Sequence, residues 1–306
     1  MNAQQNVPAG ELQTMFHVLH ETRVNYQRRV TLSQQFLHLT PRVFSSQNVM
    51  AHQIDIDPAP NEVFHRIDYF GNASSGVTIS TPHQQLMVAA RFTVGLLPRL
   101  NRALVAESLP WEVMRDNLRD IDRVSSLEPA QFLFESPHVV CSVDLADYAA
   151  TSFAPGRPLL DAALDLTERI YKDFEFDDEA TTISTPLAEV LKGKRGVCQD
   201  FAHLMIGCLR SIGIACRYVS GYILTMPPPG QPRLVGADAS HAWVSVFCPG
   251  FGWVDFDPTN GCLVQSEHIT LGWGRDFSDV TPMRGVVLGG GEQEVKVSVT
   301  VSPLMI

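Results

Sequence analysis

Three side chains able to perform acyl transfer, Cys198, His241 and Asp257, fall in the second half of the chain, each at the start or end of a predicted element. Attack on an amide needs a nucleophile stronger than a neutral thiol, a base that takes and returns a proton, and donors for the oxyanion. After Gly196-Val197-Cys198, the residues Phe201, Met205, Cys208, Leu209 and Ile212 recur at helical spacing. This predicts a buried helix that begins at or just before Cys198 and stops at Gly213. The unpaired N–H groups and positive dipole end of such a helix favour a thiolate and can face a developing oxyanion. A cysteine is more often a small buried residue, but the place of Cys198 after Gly196 and before a helix argues for reactivity.

His241 opens a predicted strand in which Trp243, Ser245 and Phe247 share its face and Ala242, Val244 and Val246 take the other. Cys248-Pro249-Gly250-Phe251-Gly252 has the composition of a hairpin loop, and Asp257 closes the next strand. Antiparallel pairing is expected to put His241 opposite Asp257, whose carboxylate would fix the imidazole tautomer and stabilise its charged form. His203, the rival base, lies about 140° around the helix from Cys198 at roughly 100° per residue, which suits a core hydrogen bond. Asp255 rivals Asp257 but sits further from the strand end, and Asp200 is read as a first-turn carboxylate favoured by the helix dipole. Gln199, Asp200, Trp243, Trp253 and Trp273 are the candidate substrate-cleft residues, the indoles as walls of an amine channel.

No metal and no cofactor is expected. Cys198, His203, Cys208 and Cys216 lack the close pairs of a zinc centre, and no His-Glu-x-x-His occurs. Gly289-Gly290-Gly291 is not followed by Lys-Ser/Thr and precedes a strand, so it reads as a turn.

The elements around these residues set the architecture. From about Phe16 to Val94, short β-type runs separated by turn residues predict an antiparallel β-sandwich, with Asp68-Tyr69-Phe70-Gly71-Asn72 as one turn. Pro110-Trp111-Glu112 opens a short helix, and Leu159 to Phe174 is amphipathic. Thr185-Pro186 reads as a helix start and Gly193 as its stop. Strands follow at Cys216 to Leu224, His241 to Phe247 and Trp253 to Asp257, with Pro227-Pro228-Pro229-Gly230 as a loop bordering a cleft. Val295 to Val301 alternates as a strand with one buried face. The expected fold is α+β, with a β-sandwich domain at 1–97 and a papain-like catalytic domain at 98–306 that includes the helical lead-in and the C-terminal strands.

Composition narrows the partners. The 306 residues are 45% hydrophobic and 18% charged with net charge −10, a globular balance whose acidic surface repels phosphate backbones and anionic lipid. Nucleic acid and membrane are therefore not expected as partners. There is no apolar run long enough to span a bilayer and the N-terminus lacks a signal-peptide pattern, so a cytoplasmic location is expected. The six cysteines include no Cys-x-x-Cys pair and read as free thiols. Nothing in the sequence fixes an oligomeric state.

The motifs Ser184-Thr185-Pro186-Leu187, Arg195-Gly196-Val197-Cys198-Gln199-Asp200-Phe201-Ala202-His203, Arg217-Tyr218-Val219-Ser220-Gly221-Tyr222, Ser240-His241-Ala242-Trp243 and Asp257-Pro258-Thr259-Asn260-Gly261 closely resemble the bacterial transglutaminase-like proteins. The likeness extends to His20-Glu21-Thr22-Arg23, Leu39-Thr40-Pro41-Arg42, Gly71-Asn72, Gly274-Arg275-Asp276 and Asp279-Val280. It implies a papain-like core with nucleophile, base and acid at Cys198, His241 and Asp257, and an activity among amide crosslinking, deamidation and peptide cleavage. Papain relatives place a glutamine before the nucleophile and animal transglutaminases a tryptophan. Here Leu191, Lys192 and Gly193 occupy the near positions and no Trp lies between 112 and 242, leaving the Cys198 backbone N–H as the named oxyanion donor. The calcium loop of animal relatives is also missing from the sequence. A thiol hydrolase acting on a peptide or protein substrate is the first expectation; a transglutaminase or deamidase, and a non-catalytic binding scaffold, are the alternatives.

Overall fold

The computed structural model describes residues 14–119, 127–224 and 240–304. Its N-terminal strands are β1 (Thr14–Leu37), β2 (Gln47–Asp57), β3 (Glu62–Ile67), β4 (Ala73–Ile79) and β5 (His83–Leu96). Along β1 every second residue from Phe16 to Tyr26 is buried, the period-two signature of a strand with one face in a core. Register slips between Asn25 and Val30 bend this 24-residue strand, as an inserted bulge does.

The second half holds the helices α1 (Trp111–Arg119), α2 (Val143–Ala150), α3 (Leu159–Asp173), α4 (Leu187–Gly193) and α5 (Cys198–Ser211). The short strands β6 (Glu175–Phe176) and β7 (Arg195–Gly196) pair in parallel. An antiparallel sheet follows from β8 (Cys216–Ile223), β9 (Ser240–Cys248), β10 (Gly252–Asp257), β11 (Cys262–Leu263) and β12 (His268–Gly274), in the order β11-β10-β9-β8-β12. The chain ends in β13 (Met283–Gly289) and β14 (Gln293–Leu304).

These last two strands, expected with the domain at 98–306, belong to the N-terminal sheet. Both leave the second half and pair with β1: β14 alongside Met15–Tyr26, before the bend, and β13 alongside Val30–Leu37, after it. β5 and β4 occupy the opposite edge of the same two segments, with β2 and β3 outside them. A strand this long would otherwise carry an unpaired row of backbone groups, and the far end of the chain covers it. Val24, Tyr26, Val77, Ile79, Leu86 and Val88, from both sides of the bend, share one core, so the antiparallel sheet folds onto itself as a sandwich.

Helix α5 is buried on every side from Asp200 to Arg210, more completely than the one-sided apolar spacing implies. The sheet covers one side through Ala242, Val244 and Val246. On another, α2 and α4 approach closely: a carbon added at Gly207 would come 3.0 Å from both Leu145 and Leu187. α4 ends with Lys194, not Gly193, in the left-handed conformation (φ 55°). The proline-rich loop around Pro227 lies outside the described residues.

The two halves meet along β12, the end strand of its sheet. Its open edge is paired by two side-chain amides from the N-terminal half. Gln47 accepts from the Thr270 N–H (2.8 Å) and donates to the carbonyls of Thr270 and Arg42 (2.7 Å each). Asn72 accepts from the Trp273 N–H (3.0 Å) and donates to the Trp273 carbonyl (2.8 Å). Each amide presents the donor and acceptor that a neighbouring strand would supply. Gly272 makes room, since a carbon there would stand 2.8 Å from Asn72 Oδ1. Phe16, Val18, Phe92, Val299, Tyr222 and Ile269 close an apolar core across the same boundary. Replacing Gln47 by Leu removes its amide and leaves the buried Thr270 N–H without its acceptor, at a cost of about 1–3 kcal/mol. Urea unfolding should therefore show a lower midpoint with an unchanged slope; an unchanged midpoint would mean that the clamp contributes no net stability.

Candidate active site

Local chemistry puts Cys198 at the mouth of α5. Asp200, three residues inside the chain from Val197, folds back so that its carboxylate accepts the Val197 N–H (2.9 Å) and the Thr181 hydroxyl (2.6 Å). That fold-back needs glycine at 196, where an added carbon would meet Asp200 Oδ2 at 2.7 Å. The first intrahelical bond runs from the Phe201 N–H to the Val197 carbonyl (3.0 Å). The N–H groups of Cys198, Gln199 and Asp200 therefore have no acceptor within the helix, and the positive end of the dipole lies at the thiol.

β9 brings His241 to the same place. Cys198 Sγ lies 4.0 Å from the Ser240 carbonyl, which puts the thiol beside His241, whose pKa it helps to raise. On its other side, His241 Nε2 donates to Asp257 Oδ2 at 2.7 Å. The register differs from the expectation that His241 faces Asp257 directly. Val244 pairs with Phe256, so by alternation Asp257 falls beside Trp243 and reaches His241 on the diagonal, within range for paired strands.

Asp257 is fully buried and heavily solvated by protein. Its Oδ2 also accepts from His268 Nε2 (3.0 Å) and Asn260 Nδ2 (2.6 Å), and its Oδ1 from the backbone N–H groups of Thr259 (2.9 Å) and Asn260 (3.2 Å). Burial alone would raise its pKa, but the bonds from His241 and His268 outweigh burial and hold the carboxyl well below its ordinary range. Burial likewise opposes charge on His241, and the hydrogen bond to Asp257 and the neighbouring Cys198 outweigh that, lifting its pKa from 6.5 to about 10.

His268 is the site residue that the sequence reading missed. It comes from β12, three strands away from β10 in the sheet order, and no spacing along the chain signals that approach. Its Nδ1 is buried without a partner. His241, Asp257 and His268 also form a grouping whose ligand atoms lie within 4.8 Å of one another. Their converging atoms are already joined by hydrogen bonds, an arrangement that serves proton placement without an ion.

The other candidates separate. Asp200 is buried in the helix cap, and Gln199 is half-buried on the first turn. Trp243 is no cleft wall: it is fully buried, packs against His241 and His268, and donates Nε1 to Asp255 (3.3 Å). Trp253 and Trp273 line a different cavity together with Asp255, one that Cys198, His241 and Asp257 do not line. Asp255 is held by Arg99. His203 accepts the Phe277 N–H (3.1 Å) and stacks on His138 in the core, where burial lowers its pKa to about 3. Burial pushes Cys208, Cys216 and Cys248 up to about 12 and Cys262 to about 11.

The raised pKa of His241 has a sign that can be checked. Between 6.5 and about 10 the folded chain keeps a proton that the unfolded chain releases. The stability from this site is therefore full below the unfolded value and is lost as pH rises through the folded one. Urea unfolding at about pH 6, 8 and 10 should show that decline, and His241→Gln should flatten it. An equal slope in both proteins would place the effect elsewhere.

Residues 146–258 match the Transglutaminase-like superfamily core, and residues 16–95 match the Bacterial transglutaminase-like N-terminal region. An uncharacterized protein of Mycobacterium tuberculosis is 41% identical over 295 residues, covering 94% of this chain and 92% of that protein. A shorter stretch of 80 residues is 39% identical to a protein-glutamine gamma-glutamyltransferase of Pseudomonas aeruginosa, covering 26% of this chain and 12% of that protein. Among solved structures, a candidate cysteine protease from Cytophaga hutchinsonii superposes with a TM-score of 0.75 at 19% identity, over 96% of this chain and 92% of that one. At that identity the likeness concerns the fold.

Proposed function

The chain belongs to the transglutaminase-like superfamily, and from that premise we propose that it is a thiol acyl-transfer enzyme acting on peptide or glutamine amides through Cys198. The observation that carries this reading is the position of His241, next to the residue whose carbonyl lies 4.0 Å from Cys198 Sγ and bonded to Asp257 Oδ2 at 2.7 Å. An imidazolium so held stabilises the thiolate. The sulfur attacks the amide carbon and the carbon–sulfur bond forms, while the oxyanion takes hydrogen bonds from N–H groups at the start of α5. The carbon–nitrogen bond then breaks and His241 gives its proton to the departing amine. Asp257 keeps the imidazole oriented throughout, and His268 and Asn260 keep Asp257 in place.

Water is the proposed acceptor of the resulting thioester. It attacks with His241 as base, the carbon–sulfur bond breaks, and the carboxylic acid leaves. Support comes from the indoles: Trp243 is buried and Trp253 and Trp273 line a cavity that Cys198 does not border, so none of the three walls an amine channel at Cys198. Transfer to an amine is the second reading, favoured by the 80-residue match to the Pseudomonas aeruginosa glutamyltransferase.

Iodoacetamide at about pH 6 should modify Cys198 first, the reactivity of a paired thiolate. His241→Ala should slow that reaction; an equal rate in both proteins would favour an idle scaffold. Activity is tested by mass spectrometry of intact casein and a glutamine-rich digest incubated with the protein and hydroxylamine, with Cys198→Ala as control. New Cys198-dependent termini support the peptidase. Hydroxamate or ammonia loss on intact chains turns the assignment to glutamine chemistry, and no Cys198-dependent product from either substrate counts against both.

A further inference from the structure

A second cavity lies on the catalytic sheet, on the face turned away from α5. Pairing of Arg217 with Ser245 and of Val219 with Trp243 puts these residues on one face, while Tyr218, Val244 and Val246 pack toward α5 on the other. The cavity has a volume of about 620 Å³ and is bounded by Phe44 and Ser45 of the N-terminal half and by Arg99, Trp253, Asp255 and Trp273. Arg217 lines it as well. The size falls within the range of small-molecule sites, and the site is distinct from the thiol cleft.

Arg217 has no role in the acyl-transfer reading, and its side chain is only 7% exposed. Its guanidinium is held flat between two indoles, 4.0 Å from the centre of Trp253 and 3.7 Å from that of Trp273. Stacking uses both faces of the group and leaves its edge. On that edge Nε has no hydrogen-bond partner among the described residues, and the approach of Nη1 to Glu128 is 3.7 Å, beyond hydrogen-bond range. A buried donor without an acceptor costs free energy that a bound ligand recovers.

The neighbouring charges define the ligand. Arg99 is committed to Asp255, Arg42 lies over Trp273 and donates to Phe70 and Asn72, and Glu128 accepts from Trp253 Nε1. Among the charged groups that line the cavity, Arg99 and Arg217 balance Asp255 and Glu128, and Arg99 is already paired with Asp255. A single carboxylate adds one negative charge to that balance, where a dianion would add two. A planar carboxylate fits the free edge of a guanidinium, and Leu100, Phe251, Val254, Leu263 and Val264 supply apolar walls for the rest of the molecule.

We propose that this cavity binds a small apolar monocarboxylate, its carboxylate seated on the edge of Arg217 and its body among the apolar side chains. The site also touches the triad's supports. Asp255, on the cavity wall, accepts from the Trp243 indole that packs against His241, and Arg99 donates to the His268 carbonyl (3.2 Å).

The test is titration of the full chain with 3-phenylpropanoate, followed by calorimetry and by tryptophan fluorescence, since Trp253 and Trp273 both face the site. One-to-one binding is expected, with the neutral 3-phenylpropanamide, Arg217→Lys and Ser45→Trp each weaker by about tenfold or more. Ser45 is exposed at the rim, so its variant blocks the cavity without disturbing a core; circular dichroism and the urea midpoint verify folding. Binding of the amide as tight as that of the acid, unchanged binding by Ser45→Trp, equal affinity for inorganic phosphate, or no saturation at millimolar concentration would each overturn the proposal.

Discussion

A carboxylate without solvent exposure must be satisfied by protein, and Asp257 imposes that requirement on its whole surroundings. Five donors converge on its two oxygens: two imidazoles, one side-chain amide and two backbone N–H groups. The backbone donors come from the turn immediately after β10, so the chain must reverse there. The imidazoles come from β9 and β12, so the sheet must bring strands from different positions to one point. Losing one partner would leave a buried charge less well solvated, which is why this site sits at the interior of a rigid sheet.

The position of β12 is therefore tied to the chemistry, and β12 is an end strand. Its free edge is closed by Gln47 and Asn72 and its apolar side by the core shared with β1, β5 and β14. The N-terminal sandwich thus has a physical part in the site: it holds the strand that carries His268. The Tyr222 hydroxyl meeting His20 Nδ1 at 2.8 Å adds a polar contact inside that boundary, where burial lowers the His20 pKa to about 4. His20, Arg42 and Asn72, from motifs that resemble the family's N-terminal region, each contact that sheet.

The two faces of that sheet are chemically different. One packs Ala242, Val244 and Val246 against α5 and is apolar. The other carries Arg217, Asp255 and the indoles, polar groups that are buried because the N-terminal half covers them. The strand β10 carries both sites on that face: Asp255 stands at the arginine-lined cavity and Asp257, two residues on, bonds His241. Strand periodicity places both on the same side, and the diagonal reach to His241 separates their roles.

Much of the site was legible because its signals are local. The apolar spacing after Cys198 marked a buried helix, alternation marked β9 and β10, and Pro-Gly between them marked a hairpin, so Cys198, His241 and Asp257 could be put near one another from short-range rules. The sequence by itself determined which residues sit at element ends and on which face of a strand they lie, because those depend on backbone period. Tertiary structure alone decided that His268 reaches Asp257, that Trp243 is sealed in the core while Trp253 and Trp273 flank an arginine, and that β13 and β14 return to the first strand. Those outcomes depend on which strand edges pair across long stretches of chain, and unpaired backbone edges can be satisfied by partners at any sequence distance.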